Sequence, residues 1–446
     1  MLLPISMGRL RNFFVLLMAA LYSPGAGIAA VAPVAQLPTV TASVTPSPYA
    51  LPLLLVSDQN EWKDFGIQVN MKIYPRGEEQ ADRVVDNEWE VGVMDPFYAI
   101  KAGNEGDIAV VGIAGNLVSQ FYLLTRKETR LPSMPQAVQV LNGTEVLGPV
   151  PSAEHFYLSH FLGKSIDSLR PAASKTQADP GGAFLKGKGD FILLRSPEAF
   201  SAIQQGFPAW PDFRKSETFL PACLVASAAY ADTRKTLVIR WLEGYSRGIR
   251  MIQENPSKAA SRLKAFYQET LKIEVSQRLL EMEIAAVFFN EKKQEEAFRS
   301  SGGNPSAVER FAHLMSDYQV RLKVLKSKKD PGEYILGKIC DQLAALRGEA
   351  EAQFRKTRMT IAQTEKEGIK VEKLRQQMDE AHGQMEEGRG CLTVIGILSN
   401  LMRSAEQARV EAHRFKKFRL IEIGVGGLLL AYYAGYAVWR KKKGKK

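Results

Sequence analysis

The chain has 446 residues, 45% of them hydrophobic and 24% charged, which is enough apolar material for more than one core and excludes a disordered polyelectrolyte. Its formal net charge is +11, but much of the excess sits in a terminal lysine run and the remaining basic residues are interspersed with acids, which argues against a nucleic-acid-binding surface. Three cysteines, Cys223, Cys340 and Cys391, exclude a disulfide scaffold, and no CxxC, HExxH or phosphate-binding GxxxxGK[ST] pattern occurs, so no metal ligand, cofactor or catalytic residue is assigned.

In chain order, residues 1–30 read as an export signal. Arg9 and Arg11 form a positive start, Phe13 to Tyr22 an apolar run short for a membrane span, and Ala29 and Ala30 a small-residue cleavage site. An uncleaved N-terminal anchor is the alternative. Residues 31–46, rich in Pro, Ala, Thr and Val, read as a linker.

Pro48 to Ser57 is expected to form the first turn and helix. Ile67 to Tyr74 alternates as a strand, with Ile67, Val69, Met71 and Ile73 on one face. The stretch Tyr74 to Ile100 then reads as glycine turn, helix (Ala81 to Asn87), short buried strand (Val91 to Met94) and a second helix starting at Pro96. Two strand-to-helix turns this close place two helix N-termini on one edge of a parallel sheet, where unpaired N–H groups favour a small anion or polar ligand. Ile108 to Ala114 and Phe121 to Thr125 are further strands. A second unit starts near Leu141, with a turn at Asn142-Gly143, a strand over Glu145 to Gly148, and a helix opened by Pro149 to Ser152 with Ser152 as N-cap. Asp190 to Leu194 is a strand, and Ser196-Pro197 starts the next helix. Leu224 to Ser227 follows, then a long helix from Tyr230 to Gln253, a break at Asn255-Pro256, and a resumed helix over Lys258 to Phe266. This alternation predicts an α/β fold with a largely parallel sheet.

The order of these elements resembles the nitrate/sulfonate/taurine class of ABC-importer solute-binding proteins over roughly Pro46 to Leu325. The matching residues are Glu90-Val91-Gly92-Val93, Val146-Leu147-Gly148, Pro151 to His155, and Asp190 to Pro197. The resemblance implies a two-lobed periplasmic-binding-protein type II fold over residues 47–334, with lobe 1 at about 47–127 and 224–334 and lobe 2 at about 128–223. It implies a ligand held between the lobes by turn residues: Tyr49, Gly77, Glu78, Met94, Asp95, Ser152, His155, Arg195 and Ser196. Pro96 and Glu154 stand in the same turns. Arg195 reads either as a bidentate clamp for a carboxylate, sulfonate or phosphonate or as a surface arginine. Ser152 reads first as a structural cap and His155 as a partly exposed helix residue. Glu78 and Asp95 place carboxylates where the family often has small or hydroxyl residues, which points to a zwitterionic, cationic or neutral heterocyclic ligand. A related branch of the fold makes the thiamine pyrimidine precursor with a cysteine-rich motif. Cys223 alone does not reproduce it, so a non-enzyme is expected.

Residues 335–418 shift to Ala, Glu, Gln, Lys and Arg. Apolar stripes recur at Ile335, Ile339, Leu343 and Leu346, and at Ile395, Leu398, Leu401 and Met402, which predicts a coiled coil or helical hairpin with its break at Gly383, Gly388 and Gly390. At most one intrachain disulfide can form; Cys340 with Cys391 is the expected pair, because both lie in this region. Leu420 to Trp439 reads as a transmembrane helix, with Tyr432, Tyr433, Tyr436 and Trp439 as an interfacial belt and residues 440–446 as a basic cytoplasmic tail. The expectation is a single-pass bacterial inner-membrane protein with its binding domain in the periplasm or extracytoplasmic space. It would capture a small solute for an ABC permease or other inner-membrane partner, and its helical region could join homo-oligomers. The competing expectation is a ligand-sensing receptor or scaffold acting through the helical region.

Overall fold

The first strand of the computed structural model, β1 (Thr39–Val44), falls in the stretch expected to be a linker. Val40, Ala42 and Val44 are buried, and so is Ser43 on the other face. Short side chains suit a central strand covered on both sides, and the flanking prolines Pro38, Pro46 and Pro48 conceal it in the sequence. The structure describes residues 36–126, 140–141, 144, 146–161, 180–210, 218–300, 303–386 and 390–443. Met1–Leu37 and Pro38–Lys446 are separate units, and every element named here belongs to the latter. The export signal lies outside the described residues, as do the Asn142-Gly143 turn and the Cys340 side chain on which a disulfide to Cys391 would depend.

β1 pairs in parallel with β2 (Gln68–Ile73) on one side and β3 (Val91–Met94) on the other. β8 (Pro221–Ser227) then runs antiparallel between β3 and β4 (Ile108–Asn116), which gives the order β2-β1-β3-β8-β4. The three parallel strands all end on one edge. They lead into a 3-10 turn (Pro48–Ala50) continued by α1 (Leu51–Asp58), into α2 (Gly77–Asp82), and into α3 (Pro96–Glu105). The second helix starts earlier than expected and stops at Asp82, and Asn87 takes a left-handed turn (φ 54°) before β3. Gly92 is fixed by packing: a Cβ there would lie 2.1 Å from the Ser43 hydroxyl, which accepts from Gln80 Nε2 of α2 at 2.9 Å.

A smaller sheet, β5 (Phe121–Thr125), β7 (Phe191–Arg195) and β6 (Val146–Leu147), forms the second lobe in the order β5-β7-β6. It packs with α4 (Ala153–Phe161), α5 (Pro180–Leu185) and α6 (Glu198–Gln204). The chain crosses between the sheets through residues 117–120 and returns just before β8. The two crossings are tied together where Asn116 Nδ2 donates to Thr218 O (2.9 Å) and Leu117 N to Leu220 O (2.8 Å). After β8 come α7 (Ala228–Thr233), α8 (Lys235–Glu254), α9 (Pro256–Leu271), α10 (Gln277–Val287), α11 (Glu291–Phe298) and α12 (Ala307–Arg321). The one long helix expected from Tyr230 is two, parted at Arg234. The break at Asn255 is as expected, and that residue caps α9.

The C-terminal region is a three-helix bundle: α13 (Gly337–Lys366), α14 (Glu372–Glu386) and α15 (Cys391–Lys443). Phe354 stacks near His382 while Arg375 pairs with Glu365, so α14 runs back along α13. Thr357 bonds Leu398 O and Arg409 pairs with Glu367, so α15 runs parallel to α13. The two apolar stripes separate. Ile335 and Ile339 join the main core, whereas Leu398 and Leu401 join Ile361, Met378 and Ala405 in a core of the bundle's own. Of the glycines expected to break the helices, Gly390 stands just before α15, Gly383 lies within α14 and Gly388 lies outside the described residues; a second turn, at Gly368 (φ 80°), was not foreseen. The bundle is seated on the first lobe. Cys391 N donates to Glu243 Oε1 of α8 (2.6 Å), and a Cβ on Gly390 would lie 2.8 Å from Asp64 O.

The expected transmembrane helix is not upheld. Among the described residues, no helix is long and apolar enough to cross a membrane. Residues 420–439 continue α15, a helix already carrying charges at Arg409, Glu411, Arg414, Lys416 and Lys417. Glu422 interrupts the apolar stretch, and four glycines (Gly424, Gly426, Gly427 and Gly435) with three tyrosines dilute it. The single-pass inner-membrane location and the cytoplasmic C-terminus, which rested on that helix, fall with it. The side chains of Tyr432, Tyr433, Tyr436 and Trp439 lie outside the described ones.

Candidate functional site

The ends of β1, β2 and β3 face the end of β7 across the junction of the two sheets, and the residues there come from both lobes. Asp95 follows β3 and is the N-cap of α3: its Oδ1 accepts from Phe97 N at 2.7 Å. Its Oδ2 lies 2.6 Å from Nη1 of Arg195, the last residue of β7. The other face of the guanidinium meets Glu154 of α4, whose Oε1 is 2.6 Å from both Nε and Nη2. Arg195 also lies over the Phe121 ring, 6.0 Å from its centroid. The Asp95 and Glu154 side chains are almost wholly buried and that of Arg195 is one quarter exposed. Burial pushes the Asp95 carboxyl above its ordinary value against the pull of Arg195. Burial opposes the charge on Arg195, and Glu154 and Asp95 outweigh it, so the guanidinium holds its proton more firmly than usual.

A second link lies beside the first. Ser196 Oγ donates to Glu283 Oε1 of α10, and both residues are buried. Tyr49, 3% exposed, stands in the turn after β1. Its hydroxyl and the amide of Gln120, which is fully buried in the crossing segment, face each other without a well-aligned hydrogen bond. Burial raises the Tyr49 hydroxyl well above its ordinary pKa. A third link joins α12 to the second lobe: Tyr318 Oη lies 2.8 Å from His155 Nδ1 and donates to Ser152 O. Burial lowers His155 to about 4.

The structure brings Tyr49, Asp95, Arg195 and Ser196 into one cluster and gives the other predicted residues different surroundings. Ser152 caps α4, accepting from His155 N at 3.0 Å. His155 is buried against Tyr318 and not partly exposed. Met94 is buried at the end of β3, paired in register with Cys223. Gly77 lies beneath Tyr98, since a Cβ there would meet Tyr98 Cδ2 at 2.6 Å. Glu78 is exposed beside that ring, and burial, with Asp95 and Glu78, pushes the Tyr98 hydroxyl up to about 12. The helix starts expected to bind an anion are thus engaged internally: α3 by Asp95, α4 by Ser152, and the short α2 under Tyr98. Gln120, Glu283, Tyr98 and Tyr318 were not picked out in the sequence. Each sits in an ordinary-looking helix or turn, and only the packing of the lobes gathers them. Cys223 is buried in β8, where burial raises its thiol, which disfavours a nucleophilic thiolate. Among the described residues no group of His, Cys, Asp and Glu is arranged to hold a metal ion.

No protein-family profile and no curated protein matches the chain. Among solved structures it is similar to the periplasmic aliphatic sulphonate binding protein SsuA from Escherichia coli, with a TM-score of 0.53 and 14% identity over 67% of this chain and 92% of that one. It is also similar to the alkanesulfonate-binding protein SsuA from Xanthomonas axonopodis pv. citri bound to MOPS, with a TM-score of 0.50 and 13% identity over 68% of this chain and 99% of that one. At this identity the likeness establishes the fold: two lobes of the periplasmic-binding-protein kind, to which this chain adds a C-terminal bundle.

Proposed function

We propose that the chain is a solute-binding protein that captures a small polar solute between its lobes for an ABC importer, and is not an enzyme. The supporting observation is the convergence of Asp95 from one lobe with Arg195 and Glu154 from the other, at the ends of parallel strands where ligands of such folds sit. Tyr49 and Ser196 complete the contact set. The partner on this reading is the importer's permease.

The reading is tested by thermal unfolding of the purified chain against amino acids, sulfonates, nitrate and pyrimidines. A true ligand at a hundredfold excess over Kd stabilises by about 2.7 kcal/mol. No shift with any of them sinks it.

A ligand-sensing receptor or scaffold is the second reading. It is favoured by the seating of the bundle on lobe 1 through Glu243, and by the extent of α15, which runs to Lys443 beyond its pairing with α13 at Arg409. Crosslinking in cells separates the two: a permease partner supports transport, and an assembly or signalling complex supports the alternative.

A further inference from the structure

Among the described residues, the interlobe cluster sets three carboxyl groups against one guanidinium. Asp95, Glu154 and Glu283 surround Arg195 and Ser196, and all three carboxylates are buried. Buried carboxylates are held at high cost unless a cation or donor meets each one. Arg195 serves Asp95 and the Oε1 of Glu154, while Glu154 Oε2 is buried with no hydrogen-bond partner. The Gln120 amide and the Tyr49 hydroxyl, more than nine-tenths buried, likewise lack a well-aligned bond. Glu154 Oε2 is an acceptor only, while the Tyr49 hydroxyl and the Gln120 amide can accept or donate, so beside three buried carboxyl groups the set suits a donor-rich cation better than an anion. Tyr49 and Phe121 add aromatic rings, which attract cations and not anions.

We infer that this cluster recognises a small organic cation, an ammonium or amidinium group, that enters between the lobes and is met by Glu154, Gln120 and Tyr49. The inference rests on the reading of the cleft as a solute site and names its ligand class. Arg195 is then the chain's internal cation, holding Asp95 and Glu154 in place for the incoming one. A sulfonate or nitrate, by contrast, would find Arg195 already engaged and three carboxylates around it.

The test is calorimetry and thermal unfolding of the full chain with butylamine, butylguanidine and butanesulfonate, at matched ionic strength with potassium chloride as control. Butylamine and butylguanidine are expected to bind and raise the unfolding temperature, while butanesulfonate and potassium do not. Glu154→Gln, which keeps an acceptor for Arg195 and removes the charge, is expected to weaken amine binding roughly tenfold. If that variant does not fold, Tyr49→Phe supplies the same reading with a smaller loss. Binding of butanesulfonate without the amines overturns the cation assignment and leaves the solute-binding reading standing. Amine binding unchanged in a folded Glu154→Gln also overturns it. Failure of every compound, extended to the broader solute panel, removes both.

Discussion

Asp95 Oδ2 and Arg195 Nη1 lie 2.6 Å apart across the junction of the two lobes, while the second oxygen of the same carboxylate caps α3. One residue therefore closes a helix end and ties the lobes. The two roles separate by substitution. Asp95→Asn keeps the cap, since asparagine caps as well as aspartate, and leaves Arg195 paired with Glu154. Its cost should be about 1 kcal/mol. Arg195→Met removes the shared cation from two buried carboxylates and should cost about 3–5 kcal/mol. Urea unfolding midpoints measure both. Equal losses in the two variants would mean that the charge of Asp95 carries the worth of the whole cluster and that Glu154 does not hold Arg195 by itself; no loss in Asp95→Asn would mean that the cap is what Asp95 supplies.

His155 makes the protein sensitive to acid. Burial against Tyr318 lowers its pKa from 6.5 to about 4. Between those values the unfolded chain binds a proton that the folded chain does not, so stability falls as pH falls through this window. The full effect is on the order of 3 kcal/mol at about 1.4 kcal/mol per unit. Asp95 works in the opposite sense, because its raised carboxyl takes up a proton more readily in the folded state. The diagnostic quantity is therefore the difference between the parent and His155→Gln, measured by urea unfolding from pH 7 to pH 4. That difference should shrink as the pH drops; a constant difference would assign His155 a packing role alone.

Several strands were legible because their apolar character is plain: Val91 to Met94 and Ile108 to Asn116 in the first lobe, and Phe121 to Thr125 in the second, are apolar runs bounded by turn residues. β1 was not, because Thr39–Val44 is short and lies among prolines, and its burial on both faces erases alternation. Of the site, Asp95 and Arg195 could be found because each stands at a strand end. Glu283 and Tyr318 could not, since α10 and α12 reach the second lobe only through tertiary packing. The apolar run 420–439 carried a signal of composition that its place at the end of a longer, partly charged helix does not support.

Two helical glycines should respond in opposite directions to alanine. A Cβ at Gly248 in α8 would lie 2.3 Å from Pro52 O and 2.6 Å from Pro52 Cα. Backbone cannot swing aside as a side chain does, so Gly248→Ala should force α8 from α1 and cost about 1–3 kcal/mol. Gly348 in α13 has nothing within 4 Å of its Cβ position. Gly348→Ala should stabilise by up to about 1 kcal/mol through helix propensity. Thermal unfolding of the two variants checks the pair, and a destabilised Gly348→Ala would show that α13 packs against something more than its two neighbours.

The bundle has a core separate from that of the lobes, which makes its stability separately testable. Leu398 is fully buried among Ile361, Met378, Val394 and Leu401. Truncation to alanine removes its apolar contacts and leaves a cavity, a loss of about 2–4 kcal/mol. The link from bundle to lobe is made near one end: Cys391 N on Glu243, Gly390 against Asp64 and Phe65, and the start of α13 along β4, α8 and α11. Loss inside the bundle should therefore stay there. In Leu398→Ala, hydrogen exchange should quicken across α14 and the facing turns of α13 and α15, while β1, β3 and β8 keep their protection. Faster exchange in those strands as well would show that bundle and lobes unfold as one cooperative unit, and that Glu243 transmits the stability of one to the other.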